Sequence, residues 1–89
     1  MTNKYKSVFD AIAESPEEAL NMQLRANLIR EIRAKVTVAG WTQTETANQL
    51  GITQPRVSDL LNGKLSKFSL DALVNMLARL GSDVKMRVA

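Results

Sequence analysis

The fold is decided by the stretch Thr42–Lys64, which reads TQTETANQLGITQPRVSDLLNGK. Its first four residues form a capping box, in which a threonine and a glutamate three positions later satisfy free backbone N–H groups at a helix start. The helix that begins there is short, because Gly51 is suited to end it. Thr53 caps a second short helix, whose first turn tolerates Pro55 because the nitrogen there needs no partner. The stretch therefore predicts two short helices joined by a tight turn.

This pair of helices, Gln43–Asn62, has the frame of a helix-turn-helix. A small residue stands where the helices approach closely, a glycine permits the turn, and apolar residues point inward. The residues predicted to form this joint core are Ala47, Gly51, Ile52, Val57 and Leu60. Any helical hairpin can show the same spacing, so at this point a hairpin without a nucleic-acid role stays open.

The outward face of the second short helix favours contact with DNA. At about 100° of rotation per residue, it lies opposite Val57 and Leu60. Its residues are Gln54, Pro55, Arg56, Ser58, Asp59 and Asn62. A glutamine can form two hydrogen bonds with adenine, an arginine can do so with guanine, and a helix N-terminus attracts phosphate. A short polar face of this kind is typical of a helix lying in a major groove.

Three further helices are predicted around this pair. Apolar spacing in residues 7–14 indicates a short helix within an N-terminal arm, 1–15. Ser15-Pro16-Glu17-Glu18 starts a long helix that runs to Gly40. Its apolar stripe at i+4 spacing, supported by Ile29 and Ala39, is Leu20, Leu24, Leu28, Ile32 and Val36. The last helix runs from Ser69 to Gly81, with Leu70, Leu73, Leu77 and Leu80 on one face.

Residues 82–89 contain the strictly alternating run Val84-Lys85-Met86-Arg87-Val88, which is typical of a strand. A single strand leaves its edges unpaired, and the rest of the chain shows no second strand pattern. The segment is either a frayed tail or pairs with the same strand of a second copy. We favour the second interpretation, in which the strand pairs with its counterpart to form a homodimer and Val84, Met86 and Val88 are buried against the helices.

Composition narrows the classes of function. The 89 residues include no cysteine and no histidine, which excludes disulfides and thiolate or imidazole metal sites, and suits a reducing compartment. Residues 1–24 carry two lysines against four acids, whereas residues 25–89 carry ten basic residues against five acids. Arg25, Arg30, Arg33 and Lys35 are interpreted as a solvated helix face. We expect a cytoplasmic protein without a signal peptide or membrane contact.

The stretch Trp41–Lys64 resembles the XRE family, which includes phage repressors and Cro-like proteins. The wider pattern, with Ser7–Ile12, Ser15–Ala19, Ser69–Leu73 and Val84–Val88, resembles a branch of HigA-like antitoxins. The resemblance implies an all-α fold of five helices, like that of the lambda repressor, with a short C-terminal β-strand. It departs from the family at Thr46, where a larger apolar residue is usual, and this predicts a looser local core.

The resemblance also implies a role for each site residue. Gln54 is the first base-reading residue, and Pro55, Ser58 and Asp59 also face the groove. Asp59 either accepts from cytosine or repels unsuitable sequences. The residues implied to contact phosphate are Gln43, Arg56, Asn62, Lys64, Lys67 and Ser69. For Arg56, a contact with a base is the alternative.

These observations predict a helix-turn-helix domain over 16–81 and a dimerising strand over 82–89. We expect a repressor that binds a palindromic double-stranded operator as a homodimer, without cofactor or metal. The resemblance adds a role as the antitoxin of a HigBA-like pair, with the acidic segment 7–24 docking a cognate toxin. The alternatives are a phage-type or housekeeping repressor without a toxin, and a protein-interaction module that has lost DNA binding. We do not expect enzymatic activity, since the sequence has no histidine, no cysteine and no paired carboxylate motif.

Overall fold

The computed structural model describes residues 14–81 of the chain. Within this range four α-helices follow one another, and a single 3-10 turn lies between the last two. They are α1 (Pro16–Ala39), α2 (Gln43–Leu50), α3 (Gln54–Leu61), the 3-10 turn (Leu65–Lys67) and α4 (Leu70–Arg79). The predicted strand 84–88 and the predicted helix 7–14, apart from its last residue Glu14, lie outside the described residues. None of the helices within 14–81 combines the length and apolarity needed to cross a lipid bilayer.

Local signals set the ends of the helices as predicted. The Ser15 hydroxyl accepts a hydrogen bond from the Glu18 backbone N–H at the start of α1. The capping box of α2 is complete, since Thr42 Oγ1 accepts from the Glu45 N–H and Glu45 Oε1 accepts from the Thr42 N–H. Gly40 follows α1 with φ of +71°, a conformation that costs glycine little.

The core lies where α1 crosses α3 and α4. α1 packs mainly against α4, α2 packs against α3, and the 3-10 turn closes the gap between α1 and α3. The buried cluster consists of Ile29, Ile32, Val36, Leu50, Leu60, Phe68, Leu73, Met76 and Leu77. This arrangement fixes α3 on its inner side and leaves its outer side free.

The predicted apolar stripe of α1 is partly wrong. Leu20 is 47% exposed and Ala39 is exposed, whereas Ile29, Ile32 and Val36 are buried. Four residues rotate a helix by about 400°, so a strict i+4 stripe drifts by about 40° per step around the axis. The buried face instead follows alternating steps of three and four, which keep it pointed at α4.

Arg25 is also not the solvated residue that its charge suggested. Its Nη1 donates to the backbone oxygen of Leu65 at 2.8 Å and to that of Phe68 at 3.3 Å, while its Nε donates to Asn21 Oδ1. The guanidinium therefore satisfies carbonyl groups at both ends of the 3-10 turn. Arg25 is a clamp between α1 and the segment that follows α3.

Candidate DNA-binding interface

The joint between α2 and α3 holds the outer face of α3 in place. Val57 and Leu60 are fully buried, Ala47 is 7% exposed, and Ile52 is half-buried against the core. Gly51 ends α2 with φ of +71°. A Cβ atom at Gly51 would lie 3.0 Å from Arg79 Cζ, so a side chain there would displace the Arg79 guanidinium, whose Nε donates to the Gln49 backbone oxygen. Of the predicted joint-core residues, Ala47, Val57 and Leu60 are thus buried and Ile52 is half-buried, while the exposed Gly51 forms the turn between the two helices.

Thr46 lies inside this joint and is 1% exposed. Its hydroxyl donates to the Thr42 backbone oxygen at 2.8 Å, so the buried polar group is satisfied. The residue that departs from the family pattern is therefore a fully enclosed part of α2, anchored to the residue that caps the helix.

The outer face of α3 is exposed at three of the four positions predicted to read bases. Gln54, Pro55 and Ser58 are exposed, and Asn62, which caps the C-terminal end of α3, is exposed as well. Asp59 is half-buried. Because the opposite face of α3 is fixed in the core, these side chains project from a rigid support.

Gln54 is tied to the helix that precedes it. Its Nε2 donates to Thr44 Oγ1 at 3.1 Å, which joins the first turns of α2 and α3. The second Nε2 hydrogen and the Oε1 atom remain available for another partner. A glutamine held in this way has fewer rotamers to lose on binding, which favours affinity.

The start of α3 differs from the starts of the other described α-helices. Thr53 occupies the N-cap position, as predicted, but its side chain accepts no hydrogen bond, and the first turn of α3 carries no acidic residue. α1, α2 and α4 each have a side-chain cap and an acidic residue in the first turn. The positive end of the α3 dipole is therefore not offset by a local carboxylate.

Two basic residues, Arg56 on α3 and Lys64 just after it, are held by neighbouring groups. The Arg56 guanidinium lies 4.6 Å from the centre of the Phe68 ring, a cation–π contact against a side chain only 2% exposed. Lys64 Nζ lies 3.5 Å from Asp59 Oδ1, with side-chain exposures of 54% and 23%. The ion pair brings together one predicted groove residue and one predicted phosphate residue.

The remaining predicted phosphate contacts lie around α3 rather than on it. Gln43 is the exposed first residue of α2, and Lys67 is exposed at the end of the 3-10 turn. Ser69 is exposed and caps α4, with its Oγ accepting from the Ala72 N–H at 3.1 Å. The cap uses one acceptor position of the hydroxyl and leaves its proton free to be donated.

Comparisons with known proteins agree with this geometry. A family model described as a helix-turn-helix domain matches residues 11–89. A solved structure of a chain described as an XRE family transcriptional regulator is 35% identical, covers 78% of each chain and superposes with a TM-score of 0.72. No curated protein sequence matches the chain. The chain belongs to the XRE-type helix-turn-helix family.

In this XRE-type protein, three residues that support the interface were missed by sequence reasoning. Thr44 holds Gln54, Phe68 carries Arg56, and Arg25 clamps the 3-10 turn. Thr44 could have been found, because a helix-turn-helix frame places the first turns of its two helices side by side. Phe68 stands in a segment without periodicity, and Arg25 bonds to groups 40 and 43 residues away, so neither left a local signal.

The residues predicted to form a dimer strand, Val84, Met86 and Val88, lie outside the described residues. The structure therefore leaves the strand prediction as it stood. The antitoxin branch stays a prediction as well, since neither the matching family model nor the similar solved structure names a toxin.

Proposed function

We propose that this protein is a sequence-specific transcriptional repressor that inserts α3 into the major groove of duplex DNA. The observation that carries the proposal is the contrast across α3. Val57 and Leu60 are fully buried on one side, while Gln54, Pro55 and Ser58 are exposed on the other. Helix-turn-helix proteins use the N-terminal residues of their second helix to contact base edges. Repression follows from occupying promoter DNA.

Gln54 reads adenine in this proposal. Oε1 accepts from adenine N6 and Nε2 donates to N7, which are the two bonds that distinguish adenine in the major groove. The bond to Thr44 uses the other Nε2 hydrogen and holds the amide plane. Pro55 and Ser58 line the groove beside it, with Pro55 offering apolar contact to a thymine methyl group.

Phosphate contacts set the register of α3. The free N–H groups at the start of α3 and the basic side chains of Arg56 and Lys64 contact DNA phosphates. Residues that are neutral or that flank α3 add further phosphate contacts. Those further contacts are Gln43, Asn62, Lys67 and Ser69. The ion pair with Asp59 reduces the positive charge that Lys64 presents to a phosphate. Asp59 also disfavours sequences that lack a cytosine donor.

The test compares two glutamine variants on two DNAs. Sequences selected from random DNA supply the preferred site, and binding is measured by fluorescence anisotropy. Gln54→Ala should lose about 1–3 kcal/mol on the preferred site and little on random DNA. The control Gln23→Ala, at an exposed position on α1, should change neither affinity. Equal losses on both DNAs would show that Gln54 does not read bases.

A phosphate contact has a different signature. Lys64→Ala should weaken binding to preferred and random DNA alike, and should lower the salt slope by about 1. A protein that shifts no DNA at any salt concentration would instead be an interaction module that keeps the fold.

The operator is palindromic in this proposal, because two copies bind through a two-fold axis. The alternating segment 84–88 pairs with its counterpart in the second copy and sets the half-sites about one turn of DNA apart. Sedimentation of a chain shortened to residues 1–82 tests the pairing, and should show monomers. Dimers that persist after the truncation would assign the axis to another surface.

An antitoxin role is the second candidate, supported by one surface of α1. Leu20 is 47% exposed beside the exposed acidic residues Glu14 and Glu17. An apolar side chain among carboxylates suits a basic protein such as an mRNA-cleaving toxin. If a neighbouring reading frame encodes such a protein, Leu20→Lys should reduce its co-purification, whereas Gln23→Lys should not. Full binding by both variants would assign the toxin contact to another surface, whereas a chain that binds no such protein would be a phage-type or housekeeping repressor without a toxin partner.

A further inference from the structure

An apolar groove lies on α1 near its C-terminal end, between that helix and the last residues of α4. Its volume is about 460 Å³, and its lining includes Val38, Trp41 and Leu80, with Glu31 and Lys35 among the other residues. Val38 is 88% exposed, although valine is usually buried. None of the predicted DNA contacts lines this groove, so the proposed repressor function does not explain it.

The C-terminal end of α4 borders the groove. Leu80 caps α4 and lines the groove, and Gly81 follows with φ of +78°, which turns the chain away from the helix axis. The described part of the chain therefore ends beside the groove. Eight extended residues span about 26 Å, at about 3.3 Å for each residue, which is enough to cross a groove of this size.

The sequence of this segment matches the chemistry of the groove. In an extended conformation Val84, Met86 and Val88 lie on one face, and Lys85 and Arg87 lie on the other. The groove has one acidic and one basic residue in its lining, so it offers no net charge to attract nucleic acid or a strongly charged peptide. An alternating segment can cover it with apolar side chains while its charged side chains stay in water.

We propose that residues 82–89 fold back along the groove of their own chain, with Val84, Met86 and Val88 packed over Val38, Trp41 and Leu80. A tether of this length holds the segment at an effective concentration in the millimolar range, far above that of a second copy in solution. The outer edge of the covered segment stays free for pairing. The packing of this segment requires no DNA.

Trp41 is the only tryptophan of the chain, so its fluorescence reports directly on the groove. Replacing Val84 and Met86 together by serine should shift the emission to longer wavelength and increase quenching by acrylamide. The matched control replaces Lys85 and Arg87 by serine, on the opposite face of the segment, and should leave both readings unchanged. Unchanged fluorescence in the first variant, or equal changes in both, would overturn the proposal.

A cross-link distinguishes the chain's own segment from that of a second copy. Because the chain has no cysteine, Val38→Cys with Met86→Cys introduces one defined pair. A disulfide requires Cα atoms within about 7 Å, so it joins Val38→Cys to whichever segment reaches the groove, that of its own chain or that of a second copy. Oxidation should give an intramolecular bond, seen as a faster-migrating monomer on a non-reducing gel. A covalent dimer would assign the groove to a second copy, and absence of any cross-link would refute the proposal.

Discussion

The two helices of the helix-turn-helix start in opposite ways. α2 begins with a complete capping box, in which Thr42 and Glu45 satisfy each other's backbone N–H groups. α3 begins at Thr53 without a side-chain cap and without an acidic residue in its first turn. The start of α2 is closed by the protein's own side chains, whereas that of α3 is left open with its dipole uncompensated.

This difference suits α2 to a structural role and α3 to the proposed binding of DNA. A closed helix start adds stability, because every capped N–H has a partner inside the protein. An open start gives up that stability but keeps N–H donors and positive potential for an anion. In the proposed complex the anion is a DNA phosphate, and the chain stabilises α3 from its buried face instead.

Because the start of α3 is open, the buried face of the helix is expected to hold it in place. Leu60→Ala should lower the free energy of unfolding by about 2–5 kcal/mol, because Leu60 is fully buried and its removal leaves a cavity. Ser58→Ala, on the exposed face of α3, should change it by less than about 0.5 kcal/mol. Urea denaturation followed by circular dichroism measures both. Similar losses would mean that the outer face also stabilises the fold.

The far end of α3 offers a second test of its support. Arg25 donates to the Leu65 and Phe68 backbone oxygens, and so fixes the turn that follows α3. Arg25→Met should cost about 1.5–3 kcal/mol of stability, since hydrogen bonds from a charged donor are lost and the carbonyl groups lose their partner. The control is Arg30→Met, at an exposed position on the same helix. A negligible loss from the Arg25 variant would contradict the clamp.

The two helix starts can be compared directly by removing their threonine side chains. Thr42→Ala should destabilise the protein by about 1 kcal/mol, because it breaks the capping box of α2. Thr53→Ala should cost only a few tenths, because its side chain caps nothing. Thermal or urea unfolding measures the pair under the same conditions. Equal losses would show that the two starts are closed to the same degree.

Sequence reasoning succeeded where the signal was local. The serine and threonine caps, and the glycines that end α1 and α2, act within one helical turn, so their effect can be read from neighbouring residues. The exposure of Gln54, Pro55 and Ser58 followed from helical rotation once Val57 and Leu60 were placed inside. These signals gave the four described helices and the outer face of α3.

Reasoning failed where contacts were long-range or where spacing was ambiguous. Leu20 looked like a core residue because i+4 spacing resembles a helix face over short distances, but it drifts around α1 over longer ones. Phe68 is a buried residue that no periodic pattern marks. Thr53 has the residue type of a cap, and only the geometry shows that its hydroxyl accepts no bond.

The smallest expected effect is the one that tests the open helix start most directly. Thr53→Asp adds a carboxylate at the N-cap of α3, which should stabilise the fold by about 0.3–1 kcal/mol through the helix dipole. The same charge faces phosphate in the proposed complex, so it should weaken binding to preferred and random DNA alike. Ser15→Asp makes the same change at the start of α1 and should leave DNA affinity unaltered. If Thr53→Asp alone raises stability and lowers affinity, α3 gives up a cap in order to bind an anion. Unchanged affinity would mean that phosphate does not approach this end of the helix.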